Sequence, residues 1–288
     1  MDRRKSQPGR AVRSIFRGGI ALAILAVLAL AALSASEDSF LYMPARPGEA
    51  WDPTGRGLAV EDVALEAADG VGLHAWFVPA SEARATLLFC HGAGGNLRDQ
   101  IGRLIRLRDR RFAVLALDYR GYGRSAGTPS EAGLYLDGEA AFDHLAGRPD
   151  VDPGRIILYG ESLGGGVVAE LALRRRPAGV VLQSTFTSIP DMAERRFPIP
   201  GIRRLVRNRY ETADKLPRIE APVLVVHGSA DETIPYEMSR RLYDSAREPK
   251  RFHEVAGAGH SDVFEVGGDV YLDELAAYLD SGTTVPAS

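Results

Sequence analysis

The sequence is poor in cysteine: its 288 residues include one, Cys90, so no intrachain disulfide bond can form. Cys90 lies in an apolar run that is typical of a buried strand, and apolar burial raises the pKa of a thiol, which argues against a nucleophilic role. Clusters of histidine, cysteine and carboxylate with metal-ligand spacing are also lacking. No P-loop lysine follows the glycines Gly164–Gly166. We therefore expect neither a metal ion nor a cofactor.

A strong excess of charge is lacking as well. The sequence has 35 Lys and Arg against 38 Asp and Glu, a formal net charge of -3, which gives no reason to expect a nucleic acid partner. Hydrophobic residues make up 45% and charged residues 25%, which is ordinary globular composition. The length suits one large domain or two small ones.

Charge is missing altogether from residues 18–36, which follow a basic head at residues 1–17 with six basic side chains and one acid. Nineteen uncharged residues are long enough to span a bilayer as a helix. The small residues at the end of the run would equally suit cleavage as a signal peptide, whereas a buried soluble helix is disfavoured because the run has no polar face. Both membrane interpretations place residues 1–17 in the cytoplasm and the rest of the chain across the membrane, either anchored by one span or secreted (periplasmic) after cleavage.

The rest of the chain alternates between short apolar runs and helical stretches. Val63–Val78 predicts a hairpin that turns near Asp69-Gly70. The apolar runs that follow are Thr86–Cys90, Ala113–Leu117, Ile156–Tyr159, Val180–Leu182, Val223–Val226 and Arg251–Val255. The predicted helices are Leu97–Arg108, Ser130–Ala146, Leu163–Arg174, Tyr236–Ala246 and Asp269–Tyr278. The alternation predicts an α/β domain over residues 37–280, with a mostly parallel doubly wound sheet and helices on both faces, followed by a tail at 281–288.

Ser162 stands between Gly160 and Gly164, where a predicted strand gives way to a predicted helix. A sharp strand-to-helix turn lifts the middle side chain onto the tip of the bend and requires small neighbours two positions away on either side. The five-residue pattern is common by chance, so its setting and its partners downstream carry the assignment. Ser162 is therefore the candidate nucleophile.

A serine hydroxyl needs a base, and the base needs a carboxylate that fixes its tautomer. His260 follows the last predicted strand, and Asp231 follows the strand at Val223–Val226. Catalytic side chains in such sheets lie at the carboxyl ends of the parallel strands. We therefore expect these two side chains beside Ser162, as base and orienting acid. The order Ser, Asp, His along the chain is the order expected of hydrolases with this turn.

Two backbone N–H groups are candidates for an oxyanion hole. Leu163 begins the helix after the nucleophile, where the positive end of the helix dipole lies. The glycine-rich loop His91–Asn96 follows an earlier strand, and in it we choose the N–H of Ala93, with that of Gly94 as the second choice. His91 is expected to brace this loop.

These segments together resemble the alpha/beta-hydrolase superfamily, and more narrowly the bud-emergence (Bem-type) group and its depalmitoylating, membrane-associated relatives. The matching segments are His91–Asn96, Asp118–Ser125, Gly160–Gly165, His227–Asp231 and Gly257–His260. The resemblance covers roughly residues 55–280. It implies a serine hydrolase that cleaves a carboxylic ester or thioester, with a small-molecule or lipid acyl substrate. A peptidase of the serine aminopeptidase type and an idle hydrolase fold used as a receptor or scaffold are the alternatives.

Residues 189–215 interrupt the alternation and would form a short lid over the strand ends. They contain six arginines with apolar residues between them. The arginines either form a solvated face or contact lipid headgroups or an anionic substrate group. The sequence does not fix the oligomeric state.

Overall fold

The apolar runs form the centre of an eight-stranded sheet in a computed structural model that describes residues 36–45 and 53–282. The strands are β1 (Glu61–Glu66), β2 (Gly72–Val78), β3 (Ala85–Cys90), β4 (Phe112–Asp118), β5 (Ile156–Glu161), β6 (Gly179–Gln183), β7 (Val223–Gly228) and β8 (Lys250–Val255). Their spatial order is β8-β7-β6-β5-β3-β4-β2-β1.

The sheet is parallel except at one edge. β3 to β8 pair in parallel, whereas β1 pairs antiparallel with β2 and β2 antiparallel with β4. The predicted hairpin is β1 and β2, and its turn contains Gly70 with a positive φ of 81°. The mostly parallel α/β sheet is therefore confirmed.

Helices cover both faces of the sheet. They are α1 (Ile101–Asp109), α2 (Glu131–Gly147), α3 (Leu163–Arg174), α4 (Ile189–Arg196), α5 (Thr212–Lys215), α6 (Tyr236–Ser245) and α7 (Val263–Gly282). Successive side chains of β3 enter opposite cores: Leu88 packs with α2, α3 and α6, and Phe89 packs with α1 and α7. Every residue of β3 is buried, which explains why its sequence is continuously apolar.

One helix begins where the local sequence predicts, and another begins earlier. Ser130 caps α2 as its position suggests, because its hydroxyl accepts a hydrogen bond from the N–H of Gly133 at 3.2 Å. Helix α7 begins at Val263, six residues before the predicted start at Asp269, and continues past a non-helical break at Gly268. Val263 and Phe264 are fully buried, so packing against the sheet holds this first turn.

The predicted lid segment at 189–215 contains α4, a 3-10 turn at Ile202–Arg204 and α5. The structure of residues 36–45 was not predicted. Residues 36–41 are helical, and Met43–Pro44 then pair in parallel with Gly94–Gly95 in a separate two-stranded sheet. The start of the described chain therefore lies against the loop that follows β3.

The predicted basic head at 1–17, the uncharged segment up to residue 35 and the tail from residue 283 lie outside the described residues. Within the described ranges, none of the helices combines the length and the apolar character needed to cross a bilayer.

Candidate active site

Ser162 lies at the tip of the turn between β5 and α3. Its backbone has φ 51° and ψ −113°, a conformation that costs free energy in a residue with a side chain and is found where a fold holds a functional group in place. The Ser162 N–H donates to the carbonyl of Gln183 on β6 at 2.9 Å, and the Gly165 N–H donates to the Ser162 carbonyl at 3.0 Å. The turn is thus fixed on both sides of the hydroxyl.

The two glycines around Ser162 are required by backbone crowding. A Cβ on Gly160 would lie 2.5 Å from the carbonyl oxygen of Gly164. A Cβ on Gly164 would lie 2.0 Å from the carbonyl oxygen of Cys90 at the end of β3. Both contacts are with backbone atoms, which cannot move aside cheaply, so neither position accepts a larger residue.

The structure brings Ser162, His260 and Asp231 together. His260 Nε2 lies 3.1 Å from Ser162 Oγ, and His260 Nδ1 lies 2.8 Å from Asp231 Oδ2. Nδ1 carries the proton that the carboxylate accepts, which leaves Nε2 free to accept the proton of the hydroxyl. The ring of His260 is partly exposed, at 19%, whereas the carboxylate of Asp231 is buried. A substrate can therefore reach the serine and the histidine.

Asp231 is held as a carboxylate. Its Oδ1 accepts from the N–H groups of Thr233 and Ile234, both at 2.8 Å, and its Oδ2 from His260. Burial acts to raise the pKa of Asp231, but the hydrogen bonds from His260 and from the Ile234 N–H outweigh it and hold that pKa below its usual value. A charged acid stabilises the imidazolium that forms when His260 takes a proton.

His227 supports the Asp231 loop from inside the protein. Its Nε2 donates to the carbonyl of Ile234 at 3.0 Å, and the hydroxyl of Ser239 donates to its Nδ1 at 2.6 Å. Burial lowers the pKa of His227, so the ring is neutral and its tautomer is fixed by these two partners. Its Nε2 lies 3.6 Å from Asp231 Oδ2, which is too far for a hydrogen bond.

The glycine-rich loop after β3 lies beside the nucleophile. A Cβ on Gly92 would lie 3.5 Å from the Cβ of Ser162. His91 Nδ1 donates to the carbonyl of Gly92 at 2.7 Å, and this carbonyl belongs to the same peptide group as the Ala93 N–H. The Ala93 carbonyl in turn accepts from the Met43 N–H at 3.0 Å and from the Tyr122 hydroxyl at 2.8 Å. The peptide groups on both sides of Ala93 are thus fixed, and His91 braces the loop.

Leu163, the other predicted donor, is the first residue of α3 and directly follows Ser162. The first N–H groups of a helix have no acceptor within the helix. The Leu163 N–H thus adjoins Ser162 in the chain, and the Ala93 N–H belongs to the loop that approaches Ser162 at Gly92; the oxyanion hole formed by these two donors stays a prediction.

An ion pair that the sequence did not reveal lies next to the nucleophile. Arg103 of α1 donates through Nη1 to Glu161 Oε2 at 2.5 Å and through Nη2 to the carbonyl of Ser261 at 2.7 Å. Glu161 precedes Ser162, and Ser261 follows His260. The guanidinium of Arg103 therefore links the loops that carry the serine and the histidine. Burial raises the pKa of Glu161 despite the nearby Arg103 charge.

Cys90 is buried at the end of β3, as expected, and burial raises the pKa of its thiol to about 12. Its carbonyl is one of the atoms that crowd Gly164. Cys90 thus contributes to the shape of the turn through its backbone, and its thiol stays protonated at neutral pH.

Comparison with known proteins identifies a hydrolase family and similar proteins. The model of the serine aminopeptidase S33 family matches residues 81–213 and 190–267. The alpha/beta hydrolase domain-containing protein WAV2 of Arabidopsis thaliana is 36% identical over 288 residues, covering 91% of this chain and 92% of WAV2. Protein bem46 of Schizosaccharomyces pombe is 32% identical over 286 residues, covering 94% of this chain and 95% of its own.

Among solved structures, the esterase Pf2001 of Pyrococcus furiosus matches with a TM-score of 0.68. The match covers 83% of this chain and 99% of the esterase, at 19% identity. Likeness at that identity concerns the fold alone.

Proposed function

This chain belongs to the serine aminopeptidase S33 family of the alpha/beta-hydrolase superfamily, and from that premise we propose that it is a serine hydrolase of carboxylic esters or thioesters. One observation carries the proposal: the unbroken series of contacts from the Ser162 hydroxyl through His260 to the buried carboxylate of Asp231. In this arrangement the carboxylate orients the imidazole so that Nε2 can accept the proton of the serine hydroxyl as the serine attacks.

The reaction proceeds through an acyl-enzyme. Ser162 Oγ attacks the acyl carbonyl, and His260 Nε2 takes its proton and passes it to the departing alcohol or thiol. Asp231 keeps the ring oriented and stabilises its charge. The N–H groups of Leu163 and Ala93 stabilise the oxyanion of the tetrahedral intermediate. His260 then takes a proton from water as the water attacks the acyl-enzyme, and it gives that proton to Ser162 Oγ as the bond to the acyl group breaks and the acid leaves.

The direct test is Ser162→Ala assayed with p-nitrophenyl butyrate. Loss of the nucleophile lowers kcat about a millionfold in such sites. The variant should unfold at nearly the wild-type urea concentration, because the one hydrogen bond that the described residues give this hydroxyl is to the partly exposed ring of His260. Hydrolysis by a folded variant at anything near the wild-type rate would refute the assignment. A fluorophosphonate probe should label the wild-type chain and leave the variant unlabelled, whereas an idle receptor or scaffold would remain unlabelled in both.

The family includes serine aminopeptidases, so an aminopeptidase is the second candidate. Such an enzyme needs a carboxylate that receives the substrate's ammonium group. Glu161, the carboxylate next to the nucleophile, is buried and already paired with Arg103, which favours an ester or thioester. Aminoacyl p-nitroanilides compared with acyl esters and thioesters of equal size separate the two functions by kcat/KM.

We also propose that residues 18–36 attach the protein to a membrane as a single span, with the catalytic domain on the side opposite residues 1–17. The absence of charge in the segment and the basic residues before it support this topology. Alkaline carbonate extraction of membranes tests it: an anchored protein stays in the pellet, whereas a protein released by signal cleavage, secreted or periplasmic, enters the supernatant.

A further inference from the structure

Exposed apolar side chains concentrate on one rim of the domain. Among the described residues, seven large hydrophobic side chains are exposed, and five of them lie on residues 36–45 and 197–205: Phe40 at 72%, Met43 at 57%, Phe197 at 43%, Ile199 at 46% and Leu205 at 40%. We call these five side chains the apolar rim. A group of this size, held on neighbouring segments, marks a surface that contacts something apolar.

Residues 36–45 are hydrogen-bonded to Arg207 and Asn208, which lie just after the second segment. The Glu37 carboxylate accepts from the N–H groups of Arg207 and Asn208 at 2.9 and 2.8 Å. The Asp38 carboxylate accepts from the Asn208 amide at 2.8 Å and from the Arg207 guanidinium at 3.1 Å. The Tyr42 hydroxyl donates to Asn208 Oδ1 at 2.9 Å. The residues that directly follow the uncharged segment are therefore hydrogen-bonded to the predicted lid segment.

The distance from the uncharged segment to the candidate active site is short. The segment ends at residue 36, and residues 36–41 are helical. At about 1.5 Å per helical residue up to residue 41 and about 3.5 Å per extended residue after it, residue 36 lies at most about 15 Å from Met43. The Met43 N–H donates to the carbonyl of Ala93 in the predicted oxyanion loop. A bilayer that holds residues 18–36 must therefore come within about 15 Å of Met43, which lies against the predicted oxyanion loop.

The charges around the apolar rim suit an anionic lipid surface. Arg195 and Arg204 are exposed, and neither has a carboxylate within ion-pair distance in residues 36–45 or 53–282. Apolar side chains flanked by basic ones are the composition of surfaces that lie at the headgroup level of a bilayer.

We infer that the apolar rim, together with Arg195 and Arg204, lies on the surface of an anionic lipid bilayer and turns the mouth of the candidate active site toward the lipid. This inference rests on the membrane attachment proposed for residues 18–36 and is independent of the hydrolytic chemistry. The side chains of the rim enter the headgroup and acyl boundary, and the arginines face lipid phosphates.

The test uses the full chain in vesicles of phosphatidylcholine and phosphatidylglycerol. Met43→Cys and Ile199→Cys are each labelled with an environment-sensitive fluorophore, which the buried thiol of Cys90 does not take up. The matched control is Val270→Cys: Val270 is 76% exposed, on α7, which packs on the opposite face of the sheet from Tyr42.

The labels at 43 and 199 should shift to the blue and be quenched by nitroxide-bearing lipids, and the label at 270 should do neither. Arg195→Glu with Arg204→Glu should weaken quenching at 199, whereas Arg155→Glu should not, because Arg155 is exposed directly before β5. Labels at 43 and 199 that behave like the label at 270 would overturn the inference. A blue shift of the labels at 43 and 199 without quenching by the nitroxide lipids would also overturn the inference, because it would mean that a second copy of the protein covers the rim. A chain that fails to float with vesicles would overturn both this inference and the proposed attachment, and neither result depends on esterase activity.

Discussion

The carboxylate of Glu161 and the guanidinium of Arg103 form a buried ion pair directly beside the candidate nucleophile, with their side chains 7% and 14% exposed. The same guanidinium donates to the carbonyl after His260. The relative position of serine and histidine therefore depends on a residue of α1 that touches neither reacting group.

Replacing Arg103 by methionine should lower both stability and turnover. An unpaired buried carboxylate costs about 3–5 kcal/mol, and a misplacement of the histidine loop by about 1 Å costs up to about a hundredfold in kcat. Urea denaturation and kcat for p-nitrophenyl butyrate measure the two effects. Adding Glu161→Gln to Arg103→Met should recover much of the stability and leave kcat low, because the hydrogen bond to Ser261 is still missing. Full recovery of kcat in the double variant would show that the tether to Ser261 is unimportant.

Asp231→Asn should lower kcat about ten-thousandfold while KM changes little, because the amide no longer enforces the tautomer of His260 that can accept the serine proton. Steady-state kinetics with an acyl ester measure this. The neighbouring Glu232→Gln is the control, since Glu232 is exposed and, in the described ranges, its side chain forms no hydrogen bond or ion pair with Ser162, Asp231 or His260. Equal losses in the two variants would contradict the assigned role of Asp231.

Two glycine-to-alanine substitutions should have opposite signs. Gly164→Ala places a methyl group 2.0 Å from the Cys90 carbonyl oxygen and should cost about 3 kcal/mol or more. Gly102→Ala, inside α1 with nothing beyond the adjoining residues and backbone of that helix within 4 Å of the new methyl group, should stabilise the protein by about 0.5–1 kcal/mol. Thermal unfolding of both variants decides the point, and a stable Gly164→Ala protein would mean that the turn is looser than described.

The stability of the protein should fall as the pH drops below about 6.5, and His227 should account for part of the fall. Because burial lowers the pKa of His227 from 6.5, the unfolded chain binds a proton there that the folded chain does not, so stability rises with pH across this window. One such group contributes at most about 1.4 kcal/mol per pH unit. His227→Gln keeps a donor for Ile234 and removes the titration, so its curve of unfolding free energy against pH should be flatter. Parallel curves for the two proteins would exclude this role of His227.

The sequence predicted the features that depend on strand ends. Ser162, Asp231 and His260 each follow a continuous apolar run, and parallel strands bring their carboxyl ends to one edge whatever the details of packing. The hairpin and the cap at Ser130 were predictable for a different reason, because each depends on residues close together in the chain.

The features that escaped prediction depend on contacts between distant segments. Arg103 and Glu161 are separated by 58 positions, and nothing in either neighbourhood specifies the other. The start of α7 escaped because Gly267 and Gly268 read as a helix break, whereas burial of Val263 and Phe264 holds the turn before them. Pairing of Met43–Pro44 with Gly94–Gly95 involves two residues on each strand, which is too short to leave a pattern.

That short pairing limits how far the protein can be trimmed for expression. A version begun at residue 53, or at residue 81 where the family match begins, would delete the segment whose N–H holds the Ala93 carbonyl. Either fragment would retain every side chain of the candidate triad and still lose one of the two hydrogen bonds to the Ala93 carbonyl, and a start at residue 81 would also remove β1 and β2. Low activity in a shortened preparation would therefore reflect the choice of start site, and a start at residue 36 or 37 keeps that support.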